Sequence, residues 1–227
     1  MTSVALAEEL LLLAYDDETG KATGSRIGLD LGMAAAVLVE LALAGRVALD
    51  GTLLTVPDPT PTGEPIADGV LAVLARDTPQ SAGAWVQRLR HGLRDKVLAD
   101  LCARGIIRDV DEKALEHIPL HRYPLADGGV VEQEVRSRLA AALTADDAPA
   151  ERTAALAALV AATRMEPALR LASAETVAAH RRLEEIAERA GFASGAGMEN
   201  SVVRPSVALV IGSLCRAIDT ALGRAAA

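Results

Sequence analysis

A group of cationic side chains follows the single tryptophan of the chain. Behind Trp85 come Arg88, Arg90, His91, Arg94 and Lys96. Guanidinium groups present a fork of N–H donors that fits phosphate oxygens, and an aromatic ring beside them suits a membrane interface. The pattern therefore predicts either a solvated helix face or an anion site, beside which Trp85 would contact a ligand ring or reach a membrane interface.

Two other positions carry residue types that are used in catalysis or metal binding. Glu40 interrupts a long apolar segment, and a buried carboxylate is either an acid with a raised pKa or the partner of an arginine. No histidine or second acid is spaced to assist it, so we expect a structural ion pair. His117 and His121 would share one face of a strand, but a third ligand at suitable spacing is missing. We expect no metal site.

Sequence motifs of common enzyme classes are absent. The pair Gly20-Lys21 lacks the upstream glycine of a phosphate-binding loop, and Ala22 stands where that loop needs Ser or Thr. No G-x-G-x-x-G occurs, and Ser194 is not flanked by the glycines of a nucleophile elbow. We therefore expect neither catalytic activity nor a bound cofactor.

Composition limits the remaining classes of function. The 227 residues are 51% hydrophobic but only 2% aromatic, which favours helices that pack through Leu, Val and Ala. The net charge of -8 and the scarcity of aromatic rings argue against a nucleic-acid partner. Cys102 and Cys215 stand in apolar stretches and are expected to be buried, reduced thiols. All but three of the 23 basic residues are Arg, which is typical of a high-GC bacterial genome.

Hydrophobic periodicity predicts a mainly α single domain over residues 1–227, with one or two short β-hairpins. A first helix is expected to be capped by Ser3 and to end at the acidic turn that starts at Asp16. The further predicted helices cover 29–44, 66–75, 81–103 (one helix, or two joined at Gly92), 131–143, 150–165, 174–190 and 204–222. Hairpins are predicted over 46–56, turning at Asp50-Gly51, and over 106–125, with Asp111, Glu112 and Lys113 at the tip. The apolar runs 34–39 and 207–215 are shorter than the roughly 20 residues of a membrane span, so we expect a cytoplasmic protein that is at most peripheral to a membrane.

Four stretches resemble the Golgi phosphoprotein 3 family, in the order and spacing of that family. They are LAEELLLLAYDDETG at 6–20, LVELALAGRVAL at 38–49, LRDKVLADLCARGII at 93–107 and HRYPLAD at 121–127. The resemblance implies helices packed around central apolar helices and a hairpin that contributes to self-association. It also implies adaptors rather than enzymes, which bind phosphatidylinositol 4-phosphate and protein cargo. Hairpin residues implied to take part in self-association are Ile106, Val110, Leu115, His117 and Leu120.

The resemblance also implies where a lipid headgroup would bind. Arg94 matches one arginine of the family, and either His91 or Arg90 stands at the position of a second. The family's tryptophan and its arginine early in the central helix are replaced by Ser25 and Ala34. Arg26 is the candidate that would compensate from the same loop.

Two functions follow from this partly altered set of residues. The first is a peripheral adaptor that binds an anionic phospholipid headgroup through Arg94, His91, Arg90 and Arg26. The second is a soluble scaffold for protein–protein interaction that has lost phosphoinositide binding. The apolar residues next to Arg26, which are Ile27, Leu29 and Leu31, are expected either to insert into a membrane interface or to begin the core helix.

Overall fold

The computed structural model describes residues 4–16, 24–113, 119–126, 129–145, 147–169, 176–192 and 203–225. The chain is mainly α-helical and forms a single domain, as the sequence predicts. The α-helices are α1 (Leu6–Ala14), α2 (Arg26–Leu43), α3 (Pro65–Arg76), α4 (Ala82–Leu89), α5 (Leu93–Ala103), α6 (Val130–Thr144), α7 (Glu151–Ala162), α8 (Thr176–Ala187) and α9 (Pro205–Ala225). A 3-10 helix (Glu166–Leu169) follows α7, and a π-helix (Glu188–Phe192) follows α8.

Helix α2 lies at the centre of the domain and contacts α1, α3, α4, α5, α7 and α9. Every residue from 33 to 39 is buried, and three consecutive alanines, 34–36, let neighbouring helices approach closely. The helix begins before the predicted Leu29. The Ser25 hydroxyl oxygen accepts a hydrogen bond from the Gly28 amide at 3.1 Å, and this N-cap starts the helix at Arg26.

A small antiparallel sheet has the strand order β1-β2-β3. β1 (Ala48–Asp50) and β2 (Leu53–Thr55) confirm the first predicted hairpin and its turn. The two-residue β3 (Gln80–Ser81) was not predicted, because so short a strand has no sequence pattern of its own. Ser81 pairs with Leu53 and its hydroxyl caps α4, accepting from the Ala84 amide at 3.3 Å, so the sheet sets where α4 begins.

Gly92 separates α4 from α5, which settles the open choice between one helix and two over 81–103. Its φ is +73°, a left-handed conformation that favours glycine and that ends a helix. The junction between the two helices therefore contains Arg90, which is the C-cap of α4, and His91.

The second hairpin forms in the predicted segment, but its tip lies further along the chain than predicted. Its strands are β4 (Val110–Lys113) and β5 (Pro119–Arg122), with Val110 opposite Arg122 and Lys113 opposite Pro119. The predicted arm 106–110 pairs with the predicted partner arm before β4 begins: Ile107 forms a bridge with Leu125, and the Arg108 amide donates to the Pro124 carbonyl oxygen at 2.9 Å. The segment 111–113, predicted as the tip, lies within β4, and residues 114–118 are outside the described part.

The C-terminal half agrees with the prediction except at the end of α7. This helix stops at Ala162 rather than Met165, and Arg164 has a positive φ of 56°. The predicted cap residue Ser3 lies outside the described residues.

Helix α9 extends the apolar run 207–215 to a length that the sequence interpretation did not give it. By length and composition, residues 205–223 are apolar enough to cross a membrane, with a mean hydropathy of 1.4. Val210, Ile211 and Leu214 are nevertheless fully buried, and α9 contacts α2, α4 and α7. In this structure one face of α9 packs on the core, while the rest of the helix, including Leu209, which is 59% exposed, is at the surface.

Candidate functional site

An ion pair joins the two segments that carry the predicted headgroup residues. Arg94 Nη1, in the first turn of α5, lies 3.2 Å from Asp30 Oδ1 in α2. Arg26 stands one helical turn before Asp30, Arg90 and His91 directly precede α5, and Arg90 lines the same groove as Ile27, the neighbour of Arg26. The structure therefore brings Arg26, Arg90, His91 and Arg94 to one end of the domain, and we call this set the cationic surface.

The phenol of Tyr15 lies close enough to both Arg26 and Arg94 for their charges to affect its pKa. Burial raises the pKa of Tyr15, and the charges of Arg94 and Arg26 both act to lower it. The carboxylates of Asp30 and Asp95 act on the same phenol in the opposite direction. The Tyr15 ring further meets the Tyr123 ring edge to face, with centroids 5.8 Å apart. Both arginines thus lie within electrostatic reach of one group.

The members of the cationic surface differ in how available they are to a ligand. Arg26 and His91 are exposed, and Arg90 is half-buried. The side chain of Arg94 is only 12% exposed and its charge is already matched by Asp30. A phosphate that contacts Arg94 has to compete with this carboxylate.

The positions where the resemblance lacks a ligand have structural roles here. The hydroxyl of Ser25 is engaged as the N-cap of α2. Ala34 is 0% exposed and lies in the core, so its position does not reach the surface. Both positions are therefore occupied by residues that serve the helix or the core.

The expectation that Trp85 contacts a ligand ring or reaches a membrane interface was wrong. Its side chain is 0% exposed, because α4 packs against α2 and α9 through this face. Arg88 stacks over the ring with its guanidinium carbon 5.0 Å from the centroid, and it also pairs with Asp77 at 2.6 Å. Lys96 is exposed on the outer side of α5.

The apolar residues beside Arg26 divide between surface and core. Leu29 and Leu31 are buried, which fits the expectation that they begin the core helix. Ile27 is 44% exposed and stands next to Arg26. One exposed aliphatic side chain therefore adjoins the cationic surface.

An open groove of about 830 Å³ lies next to the cationic surface, between α2, α4 and α9. Its apolar or small lining residues are Ile27, Leu31, Gly83, Ala84, Ala217 and Ala221, and its polar ones are Ser81, Gln87, Arg90, Ser213, Arg216 and Thr220. Arg90 belongs to both the groove and the cationic surface. The part that α9 plays here was not predicted, because the sequence pattern marked this helix only as apolar.

The structural role predicted for Glu40 is confirmed. Its carboxylate accepts from Arg152 Nη1 at 2.6 Å and from the Leu6 amide at 2.8 Å. The cavity beside it has a volume of about 10 Å³, so no substrate fits there. His117 and the side chain of His121 are outside the described residues. Within the described part, no three His, Cys, Asp or Glu residues are grouped as a metal site requires.

Sequence reasoning missed a buried ion-pair network at α1. Glu8 and Glu9 are each 1% exposed, although they are acids inside the core. Arg104 Nη1 lies 2.6 Å from Glu8, while Arg138 and Arg152 both pair with Glu9. Burial raises the pKa of Glu8 to about 7, opposed by the Ala5 amide and by the Arg104 charge. The signal that would have indicated it is the adjacent pair of acids within the apolar helix LAEELLLLA.

The residues predicted to support self-association are only partly described. Ile106 is half-buried, and Val110 is 42% exposed on β4. Leu115 and His117 lie outside the described residues, and of Leu120 only the backbone pairing with Glu112 is described. Self-association through this hairpin stays a prediction.

The protein is a mainly α single domain with a short antiparallel sheet, a hairpin after α5 and a cationic surface. This organisation agrees with the one implied by the four stretches that resemble the Golgi phosphoprotein 3 family. The sequence model of the Golgi phosphoprotein 3 (GPP34) family matches residues 6–211 of the chain. The protein therefore belongs to the Golgi phosphoprotein 3 family. No curated protein matches the chain.

Proposed function

We propose that the protein is a non-enzymatic peripheral adaptor whose cationic surface binds the phosphorylated headgroup of an anionic phospholipid, such as phosphatidylinositol 4-phosphate. The observation that carries the proposal is the Arg94–Asp30 ion pair, because it holds the α4–α5 junction against the start of α2. Arg26, Arg90 and His91 then offer cationic or hydrogen-bonding groups on one surface of a chain whose net charge is -8. Membership of the family supports the same conclusion.

Local structure around Arg26 adds to the attraction for a phosphate. Arg26 is the first residue of α2, and the N-terminal end of a helix carries partial positive charge that favours anions. Ile27 beside it is exposed and would enter the outer part of a bilayer when the headgroup is bound. This geometry supports binding to a membrane-borne headgroup, and the proposed location is the cytoplasmic face of a membrane.

Asp30 is expected to weaken this binding. A charge-assisted contact to phosphate contributes typically about 1.5–3 kcal/mol, and Arg94 makes one only after it leaves Asp30. The missing ligands at Ser25 and Ala34 lower the affinity further. Binding should therefore be weak and should respond strongly to the charge at Asp30.

Co-sedimentation with phosphatidylcholine vesicles, with and without phosphatidylinositol 4-phosphate, tests the proposal. Arg26→Gln should reduce the bound fraction on the charged vesicles, and Asp30→Asn should raise it several-fold by releasing Arg94. Asp50→Asn is the matched control, because it makes the same charge change at the exposed turn after β1. Equal, negligible pelleting on both vesicle types by the wild type and by Asp30→Asn would refute the proposal.

A scaffold for protein–protein interaction is the second candidate, and the exposed Val110 on β4 favours it. In that case the protein would form a homo-oligomer through the hairpin or bind protein cargo, with no role for nucleic acid. Light scattering coupled to size exclusion separates the candidates. A concentration-dependent oligomer that Val110→Lys abolishes, together with no vesicle binding, would favour the scaffold.

A further inference from the structure

We propose that the groove between α2, α4 and α9 is a second anion site, in which Arg90 and Arg216 together bind the phosphate of a small phosphate ester with an apolar tail. It shares Arg90 with the cationic surface but does not depend on the proposed membrane role, because its second arginine comes from α9. Its ligand is held between helices rather than against a bilayer. The phosphate ester could be a free metabolite or a lipid headgroup that enters the groove.

The lack of carboxylate partners at Arg90 and Arg216, within the described part of the chain, supports this assignment. Neither Arg90 nor Arg216 forms an ion pair with a carboxylate among the described residues, whereas Arg88 and Arg94 beside them pair with Asp77 and Asp30. The Nε of Arg90 is buried and has no hydrogen-bond partner in the described part of the chain. A buried guanidinium N–H without an acceptor is unfavourable, and a phosphate oxygen would supply that acceptor.

The remaining polar lining suits an anion rather than a cation. No carboxylate lines the groove, although acids outnumber bases in the chain as a whole. The Ser81 hydroxyl uses a lone pair for the Ala84 amide, so its proton is free to donate into the groove. The exposed amide of Gln87 adds a further donor. Two guanidinium forks and neutral donors are the set that phosphate oxygens require.

The groove also has apolar lining residues, which would accommodate a tail. Ile27 is partly exposed there, and Ala84 and Ala217 present only methyl groups. Gly83 and Ala217 bring α4 and α9 close together here, since a Cβ added at Gly83 would lie at ordinary van der Waals distance, 3.5 Å, from the Ala217 Cβ. An alkyl chain against these side chains would gain roughly fourfold in affinity for each buried methylene.

Isothermal titration with inorganic phosphate and with hexyl phosphate tests the soluble ligand, and vesicles with and without phosphatidylinositol 4-phosphate test the lipid. Arg216→Gln should weaken hexyl phosphate binding about tenfold or more, since it removes a charge-assisted contact. Ala84→Leu should weaken hexyl phosphate more than inorganic phosphate, because it fills the apolar part. Arg181→Gln is the matched control, since Arg181 lies on α8 with its side chain 79% exposed.

The outcomes separate this proposal from the membrane role. If Arg216→Gln loses hexyl phosphate binding but binds vesicles as the wild type does, the ligand of the groove is a free phosphate ester. If Arg216→Gln loses both, the ligand is a lipid headgroup. Either result supports the groove as an anion site. If vesicle binding changes in Asp30→Asn and not in Arg216→Gln, the cationic surface binds the membrane without the groove. No binding of hexyl phosphate by the wild type, or binding that Arg216→Gln leaves intact, overturns the groove proposal.

Discussion

Arg152 on α7 donates to Glu40 on α2 across 2.6 Å, and this contact belongs to a network that holds α1 in the core. The same guanidinium lies 3.2 Å from Glu9 on α1, and its Nη2 donates to the Val4 carbonyl oxygen at 2.7 Å. One side chain therefore connects α1, α2 and α7. Glu9 is 1% exposed, so its charge depends on such partners.

Substitution of Arg152 by Met should destabilise the protein by about 3 kcal/mol, because a buried carboxylate loses a partner while the aliphatic volume is kept. The free energy of unfolding from urea denaturation measures this. Arg181→Met, at an exposed arginine of α8, is the control and should change stability by less than about 0.5 kcal/mol. Equal stability of the two variants would mean that the network contributes nothing.

Stability should fall as the pH rises through the range in which Glu8 ionises in the folded state. The pKa of Glu8 is raised from 4.5 to about 7 by burial, so between these values the folded protein binds more protons than the unfolded chain. The free energy of unfolding then decreases with pH, by about 1–3 kcal/mol between roughly pH 5 and pH 8. Glu9, whose pKa burial also raises, acts in the same direction.

Glu8→Gln isolates this contribution, because Gln keeps the shape of the side chain and does not titrate. The variant should show a flatter pH dependence in this range than the wild type. Some groups have a lowered pKa in the folded state, such as Asp77 beside Arg88 and Glu151 beside Arg204. They change the free energy of unfolding only below about pH 4.5, so they do not affect the slope between about pH 5 and pH 8. A wild type whose stability rises between about pH 5 and pH 8 would contradict the prediction.

Glycines on two helices should respond oppositely to alanine. At Gly32 on α2, a Cβ would lie 2.5 Å from Thr163 Cγ2 and 2.8 Å from Leu10 Cδ2, so Gly32→Ala should destabilise by about 1–3 kcal/mol despite its better helix propensity. At Gly69 on α3, a Cβ meets no atom within 4 Å, and Gly69→Ala should stabilise by about 0.5–1 kcal/mol. Thermal unfolding of both variants measures this, and the same sign at both sites would contradict it.

Features of the fold that depend on neighbouring residues could be predicted from the sequence, whereas features that depend on distant segments could not. Ser25, Gly92 and the turn at Asp50-Gly51 act on their own neighbours, so helix and hairpin boundaries there were predictable to within a few residues. The strand β3 was not, because Gln80 and Ser81 become a strand only by pairing with β2. The tip of the second hairpin was misplaced for a similar reason, since Asp111, Glu112 and Lys113 belong to a strand only by pairing with β5.

The candidate site shows the same division between local and long-range information. The sequence pattern identified the cationic side chains of the α4–α5 junction. It did not indicate that Asp30 pairs with Arg94, or that Arg216 and Arg90 line the same groove, because these residues are far apart in the chain. The burial of Glu8 and Glu9 depends on arginines from α5, α6 and α7 in the same way.

The cysteines allow a test of whether α9 stays in the core on a membrane. Cys215 on α9 is 0% exposed and burial raises its pKa to about 12, whereas Cys102 on α5 is partly exposed. In the native protein a thiol reagent should therefore modify Cys102 and spare Cys215 until the chain unfolds. Cys102→Ala should remove the fast phase of the reaction and serves as the control.

The same reaction in the presence of charged vesicles distinguishes peripheral from inserted binding. Residues 205–223 are apolar enough to cross a membrane, but α9 is packed on α2 through Val210, Ile211 and Leu214. Leaving the core would expose these side chains and the groove lining together, which costs the burial of several large residues. We therefore expect Cys215 of the Cys102→Ala variant to react equally slowly with and without vesicles. Faster modification of Cys215 on vesicles would show that α9 leaves the core, and it would contradict a purely peripheral mode of binding.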